Sequence, residues 1–178
     1  MENKNNQIIN QENNNKELNR INLLYKEWQN NQKDGELLVR LAFECWHILS
    51  ESFRLELSAA DAEKAKEILI EVKDKIMESK IKNSYVLSHV GYMITMFPDL
   101  FYEGEADELY KKHQIIGSKM LKGAVKISPE DKIAQLFMLG NNNKEKAYNT
   151  LKKELKPQIA IIYNGNDTFC TYFKEVLS

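Results

Sequence analysis

From Lys16 onward the apolar positions recur three and four residues apart, the spacing of helices that each bury one face. Leu18, Ile21, Leu24, Tyr25 and Trp28 form the first such stripe, and Asn30, Asn31, Asp34 and Gly35 break it. A second helix is predicted from about Glu36 to Leu49. Leu37, Leu38, Leu41, Phe43, Cys45, Trp46, Ile48 and Leu49 cover much of its circumference, which places it centrally with neighbours on several sides. Ser58 reads as the N-cap of a third helix, with Asp61 in its first turn. Ala62, Ala65, Ile68, Leu69, Val72, Ile76 and Met77 make its buried stripe, while Glu67, Glu71 and Lys75 belong to a solvated face.

That helix ends near Lys82, and Asn83 or Ser84 caps the next, which carries Tyr85 to Phe97 and stops before Pro98. Pro98 to Gly104 is a turn or loop. A long helix follows from about Glu105 to Lys126, with Gly117 and Gly123 inside it. Each glycine costs up to about 1 kcal/mol relative to alanine, and glycine in that setting permits close helix packing. Ser128 is expected to cap a helix with Pro129 at its first position and Glu130 and Asp131 in its first turn, ending at Gly140. Lys144 to Leu155 make another, with Ala147, Tyr148, Leu151 and Leu155 inward. After Pro157, Ile159 to Tyr163 has strand character, but a lone strand would have no partner in this sequence, so helix is preferred. Asp167 caps a last helix bearing Phe169, Tyr172, Phe173, Val176 and Leu177.

The expected fold is therefore all-α: about eight helices in antiparallel pairs joined by short turns. Residues 16–178 form one domain. Residues 1–15, rich in Asn, Gln and Glu, read as a disordered polar tail or a frayed extension of the first helix.

Gly117, Leu121, Ala124 and Pro129 stand at spacings of four, three and five. This order of small, large and small positions, then a proline, resembles the second helix of a tetratricopeptide (TPR) repeat and its exit turn. Ala65, Leu69 and Val72, then Ile21, Tyr25 and Trp28, follow it more loosely, and Leu38, Leu41 and Ala42 resemble positions of a TPR first helix. The period is not constant, whereas arrays of that family repeat every ~34 residues. The resemblance implies a TPR-like α-solenoid, with an irregular helical bundle as the alternative, and it implies binding of other proteins rather than catalysis.

Composition narrows the function classes. With 43% hydrophobic and 29% charged residues the chain has an ordinary globular balance, and a net charge of −1 provides no broad electrostatic footprint for nucleic acid. Cys45 and Cys170 form no CxxC pair, which points to a reducing compartment. The opening stretch is polar rather than basic and apolar, and the longest apolar run, Tyr85 to Phe97, falls short of the about twenty residues a membrane span needs. A cytoplasmic, soluble protein is expected.

Few residues suggest chemistry. Glu44, His47 and Glu51 share a helical face, and Glu-x-x-His is a ligand pair of di-iron bundles, but such a site needs a second copy. Val86 and Tyr110 stand three residues before His89 and His113, so there is none. Cys45 and His47, and likewise Ser88 and His89, diverge on their helices. No metal, cofactor or catalytic site is expected. A helical enzyme or ligand-binding bundle, with Glu44, His47 and either Tyr92 or His89 in a pocket, is the alternative class. Lys152, Lys153 and Lys156 read as a solvated face diluted by Glu145 and Glu154.

The most unusual surface candidate is the stretch 99–108, where Asp99, Glu103, Glu105, Asp107 and Glu108 surround Phe101 and Tyr102. An aromatic set among acids suits a basic protein partner, the rings supplying contact and the acids steering encounter. The same residues also suit a structural role, with acids at a helix N-terminus and Phe101 stapling the loop to the core. The expectation is a non-catalytic protein-binding scaffold. Its most specific form is an immunity protein that blocks a basic, nuclease-type bacterial toxin; an adaptor or secretion chaperone is the alternative.

Overall fold

Helix α1, Glu2–Asn30, lies against α2, Gly35–Ser50, in the first antiparallel pair of the computed structural model. The backbone is described except at residues 1, 56, 79–81 and 105, and the side chains also except at 2–15, 53 and 54. After a single turn, α3 (Ser52–Leu55), come α4 (Ala59–Glu78), α5 (Ser84–Met96), a 3₁₀ turn (Pro98–Phe101), α6 (Asp107–Ile127), α7 (Lys132–Asn141), α8 (Glu145–Ile162) and α9 (Thr168–Leu177). Eight of the described helices are longer than one turn, and no strand occurs among the described residues. No described helix is long and apolar enough to cross a membrane.

Local side chains set most boundaries. Asp34 accepts from the amides of Glu36 and Leu37 and starts α2. Ser58 and Asp61 bond to each other at the start of α4. Asn83 accepts from the Val86 amide to start α5, and Asp167 from the Cys170 amide to start α9. The polar stretch 2–15 is helical in backbone, as part of α1.

Several expectations are corrected. α7 begins at Lys132, not behind Ser128, because Asp131 is the better cap. Its carboxylate accepts from Ile133 and Ala134, and the Asp131 amide closes a turn onto the Ser128 carbonyl. Ser128 is instead the C-cap of α6. α7 runs past Gly140, and Asn143 takes the left-handed conformation, φ 54°, beyond it. Pro157 does not interrupt α8; it stands on the exposed side together with Lys153, whose carbonyl loses its helical partner. Residues 159–162 are helical as expected, but they continue α8 instead of starting a new helix after Pro157, and Leu151, Leu155, Ile159 and the C-cap Tyr163 make one buried row. Ala147 is exposed. So is Met77, at 49%, while Ile76 beside it is buried and Lys73, one turn earlier, is only 8% exposed.

α2 is central as expected, with α1, α4, α5 and α9 packed around it. Beyond it the chain zigzags, α5 on α6, α6 on α7, α7 on α8 and α8 on α9, and α9 returns to α2. In an open solenoid each repeat touches only its neighbours. Here the two ends meet, so the architecture is a closed irregular bundle. An aromatic knot holds the closure. Phe173 of α9, fully buried, contacts Phe43, His89, Tyr92, Phe137, Tyr163, Phe169 and Tyr172 with ring centroids between 4.9 and 5.9 Å. Arg20 of α1 pairs with buried Glu44 of α2 and donates to the Thr168 hydroxyl of α9 at 2.9 Å. Burial raises the Glu44 carboxyl to about 7, and Arg20 offsets that only in part.

α5 and α6 make the most extensive contact, and two glycines allow it. A Cβ on Gly117 would stand 2.8 Å from Thr95 Cγ2 and 3.0 Å from the Gly91 carbonyl oxygen. A Cβ on Gly91 would stand 3.1 Å from the Gly117 carbonyl oxygen. The helices thus meet backbone to backbone, with Leu121 and Ala124 buried one and two turns on. Gly117→Ala should destabilise by about 1–2 kcal/mol, since overpacking against backbone exceeds the gain of about 1 kcal/mol in helix propensity. Gly123→Ala, whose Cβ would meet only Leu87 at an ordinary 3.5 Å, should be neutral or stabilising. Urea melts of the two variants check the contrast.

His89 sits inside the aromatic knot. Its Nδ1–H donates to the Tyr85 carbonyl at 2.8 Å, so Nε2 accepts from the Tyr163 hydroxyl at 2.9 Å. Burial holds the imidazole at about 4, below its ordinary 6.5. The folded protein keeps it neutral while the unfolded chain takes up a proton as pH falls through 6.5. The His89 contribution to stability is complete above that pH and declines by up to about 3 kcal/mol on the way down to the folded value, whereas Glu44, raised to about 7, contributes in the opposite sense over much of the same range. Unfolding midpoints of wild type and His89→Gln between about pH 7 and pH 4 isolate the His89 part: the wild type should lose stability relative to the variant as pH falls.

Candidate protein-binding surface

The segment between α5 and α6 is held from below. Pro98, with no N–H to leave unpaired, opens the 3₁₀ turn, which packs on α4, α5 and α6. Phe101 is 0% exposed and Tyr102 8%. Lys73 reaches this turn from α4 with its stem buried. Its ammonium donates to the Phe101 carbonyl at 3.1 Å, faces His113 Nε2 at 3.4 Å and pairs with Asp74 at 2.9 Å. His113 Nδ1–H donates to the Leu109 carbonyl at 2.9 Å, which leaves the Nε2 lone pair for Lys73. Burial lowers the His113 pKa, and the charges of Lys73 and Lys112 lower it further, so this imidazole is neutral. Tyr102 packs its ring on His113, centroid to centroid 4.8 Å.

These contacts correct the expected contact set. Phe101 and Tyr102 are not surface anchors; their rings tie the loop to the core, and burying them is worth more than presenting them. Asp99, Glu103, Asp107 and Glu108 are exposed, while Glu105 lies outside the described residues. Asp107 and Glu108 stand in the first turn of α6, where negative charge favours the helix dipole.

What the loop does present is Glu103, which shares a groove with acids of α4, of which Glu67 and Glu71 belong to the face expected to be solvated. Glu67, Glu71, Asp74 and Glu78 are four, three and four residues apart, so they form one stripe along α4. With Glu103, Ile70 and Lys75 they line a groove of about 460 Å³. Five carboxylates stand there against Lys75 and the Lys73 ammonium held by Asp74, an excess of three negative charges. Glu71 is fixed by the Tyr25 hydroxyl of α1 at 2.8 Å. Half-buried Ile70 adds an apolar element to the groove wall. Such a groove suits a long cationic side chain, its stem on Ile70 and its head among carboxylates.

The residues of the alternative pocket are each engaged with other side chains, and His47 and Tyr92 both meet Tyr172. Glu44 faces Arg20, His47 stacks on Phe43 at 5.4 Å, and the Tyr92 hydroxyl meets that of Tyr172 at 3.0 Å. Among the described residues no three His, Cys, Asp or Glu side chains are placed to hold a metal ion. Titratable groups do converge elsewhere. A cavity of about 530 Å³ is lined by Glu36, Arg40, Tyr85, His89, Asp131 and Tyr163, among others. They come from α2, α5, α8 and the turn before α7, so no local motif could have announced them. They are engaged with one another or with neighbours: Arg40 with Glu36 and Asp167, Asp131 with Ser84, and His89 with Tyr163.

No protein-family model matches the chain, and no curated protein or solved structure matches it. Its functional reading therefore rests on its own surface.

Lys73→Met keeps the volume of the stem but leaves the Phe101 carbonyl and His113 Nε2 without their donor. It should cost about 1–3 kcal/mol. Hydrogen exchange should accelerate in residues 99–104 more than in α2. A loop whose exchange does not change would show that Lys73 is not its anchor.

Proposed function

We propose that this chain is a non-catalytic, protein-binding helical scaffold whose contact surface is the acidic groove of α4 and Glu103. The observation that carries the reading is the excess of negative charge in that groove, built on a rigid helix and on a loop pinned by Lys73. Rigidity matters because a preformed surface loses little conformational entropy on binding. The charge selects a basic partner and accelerates its encounter. The TPR resemblance of Gly117, Leu121 and Ala124, all buried at the α5–α6 contact, supports a scaffold role by analogy.

The most specific form of this reading is an immunity protein that covers the basic active-site surface of a nuclease-type toxin in a bacterial cell. In that role the acids substitute for the phosphates the toxin would otherwise grip, and no chemistry is asked of the inhibitor.

The triple variant Glu67→Lys, Glu78→Lys, Glu103→Lys leaves the Tyr25–Glu71 and Lys73–Asp74 contacts in place. In affinity capture from native cells, the wild-type chain should retain a basic protein, and the variant should retain at least about tenfold less of it, a difference of 1.4 kcal/mol or more. Association with the captured protein should slow as salt rises. Equal capture by wild type and variant would remove the groove as the contact surface, and a captured nuclease left fully active in the complex would remove the immunity role.

A further inference from the structure

The clamp on the 3₁₀ turn includes a ring nitrogen that can change from acceptor to donor. Lys73 Nζ carries three protons and meets three acceptors: the Asp74 carboxylate at 2.9 Å, the Phe101 carbonyl at 3.1 Å and His113 Nε2 at 3.4 Å. A carbonyl accepts at any pH. His113 Nε2 accepts only while the imidazole is neutral, because its Nδ1–H is given to the Leu109 carbonyl at 2.9 Å. A proton on Nε2 would remove that acceptor and set a second cation 3.4 Å from the ammonium.

While the turn is seated, its surroundings oppose that proton. His113 is buried, with Tyr102 over its ring at a centroid distance of 4.8 Å. Burial penalises the imidazolium first, and Lys73 of α4 and Lys112 of α6 add to the penalty. The bond to the Leu109 carbonyl and the charge of Asp74 work the other way and offset this only in part. On α5, His89 is turned to Tyr163 and Tyr92 to Tyr172, while Asp99 and Asp107 stand by Tyr102. Lifting the turn off α4 would uncover the ring and part it from Lys73, which returns the imidazole toward its ordinary 6.5. The seated form therefore binds the proton less readily than the lifted one, and falling pH favours lifting.

The clamp reaches the acidic groove by two routes. Glu103 is carried by the clamped loop, two residues beyond Phe101, and Asp74 is both a partner of Lys73 and part of the groove wall. We infer that His113 and Lys73 form an acid-sensitive latch: a proton on His113 loosens residues 99–104, withdraws Glu103 from the acidic groove and weakens its hold on a basic partner. The inference rests on the groove being the contact surface. Both routes have the same sign. Loosening removes the Glu103 carboxylate, and an imidazolium beside Lys73 and Asp74 cuts the excess of three negative charges to two. A basic partner is then held at neutral pH and released on acidification.

Amide exchange of the full chain, read as protection factors at about pH 7.5 and about pH 5.5, tests the latch. An exposed imidazole of ordinary pKa is about tenfold more often protonated than not at the lower value, so loop opening can gain up to about tenfold. Protection of residues 99–104 should fall at least about threefold in wild type, without a matching fall in α2. His113→Gln keeps an acceptor toward Lys73 that takes up no proton, and its loop should be equally protected at both values. Glu44 and His89 titrate alike in the two chains, so their difference isolates His113. A hexalysine peptide, titrated by calorimetry at about 0.1 M salt, should bind wild type at least about threefold more weakly at the lower pH and bind the variant equally at both. Unchanged loop protection in wild type, or an equal fall in the variant, would overturn the latch. If the variant does not fold, wild type decides: His113 ring-nitrogen shifts and loop amide shifts should share one midpoint in a pH titration, and separate midpoints would overturn the latch. Peptide binding that does not weaken while the loop loosens would overturn its control of the groove. No peptide binding at either pH would count against the groove as the contact surface, and the exchange result would still decide the latch.

Discussion

The backbone-to-backbone approach of α5 and α6 at Gly91 and Gly117 is the constraint on which the rest of the bundle depends. It sets the separation of the two helices, and the segment joining them must then turn within ten residues, 97–106. A proline starts that turn and Phe101 is drawn into the space beneath it. Because α5 also packs on α2 and α7, a shift at the glycine contact would be felt on both sides of the molecule. Close packing of this kind transmits displacement rather than absorbing it.

Two polar devices complete what the glycines begin. Lys73 buries its stem and spends its ammonium on a carbonyl, an imidazole and a carboxylate, which converts an unfavourable buried charge into a clamp on the loop. His89 stays neutral inside the aromatic knot, donating through one nitrogen and accepting through the other. Both satisfy their own hydrogen bonds, so neither reads as a catalytic group left waiting for a substrate. Along α4 carboxylates gather on one side and reach Glu103 of the pinned loop.

Much of the helical layout was legible because helices are local. Ser58, Asn83 and Asp167 were recognisable as caps within a few residues of what they cap, Asp34 only as a break after the first helix, and apolar spacing located the buried rows. Ser128-Pro129 misled for the same local reason: it is a good helix start in isolation, but Asp131 caps better and also accepts from Ser84 of α5. The acidic half of the candidate surface was only partly legible. Glu103 was named, but its companions Glu67, Glu71, Asp74 and Glu78 lie about thirty residues earlier in the chain, and only the packing of the 3₁₀ turn on α4 brings them alongside. Met77 is exposed and Lys73 buried because helical periodicity cannot tell how far along a face a neighbouring element will cover it.

The sequence by itself determined that this chain is helical, roughly where its helices start and stop, and that α2 is central, since each of these follows from hydrogen bonds and apolar spacing within a few residues. Tertiary structure alone decided that α9 returns to α2 and closes the bundle, that Phe101 and Tyr102 face inward, and that carboxylates from α4 and the loop before α6 gather in one groove. Those outcomes depend on close packing among residues far apart in the chain. Gly91 is the plainest case, for its meaning lies wholly in the helix that passes over it.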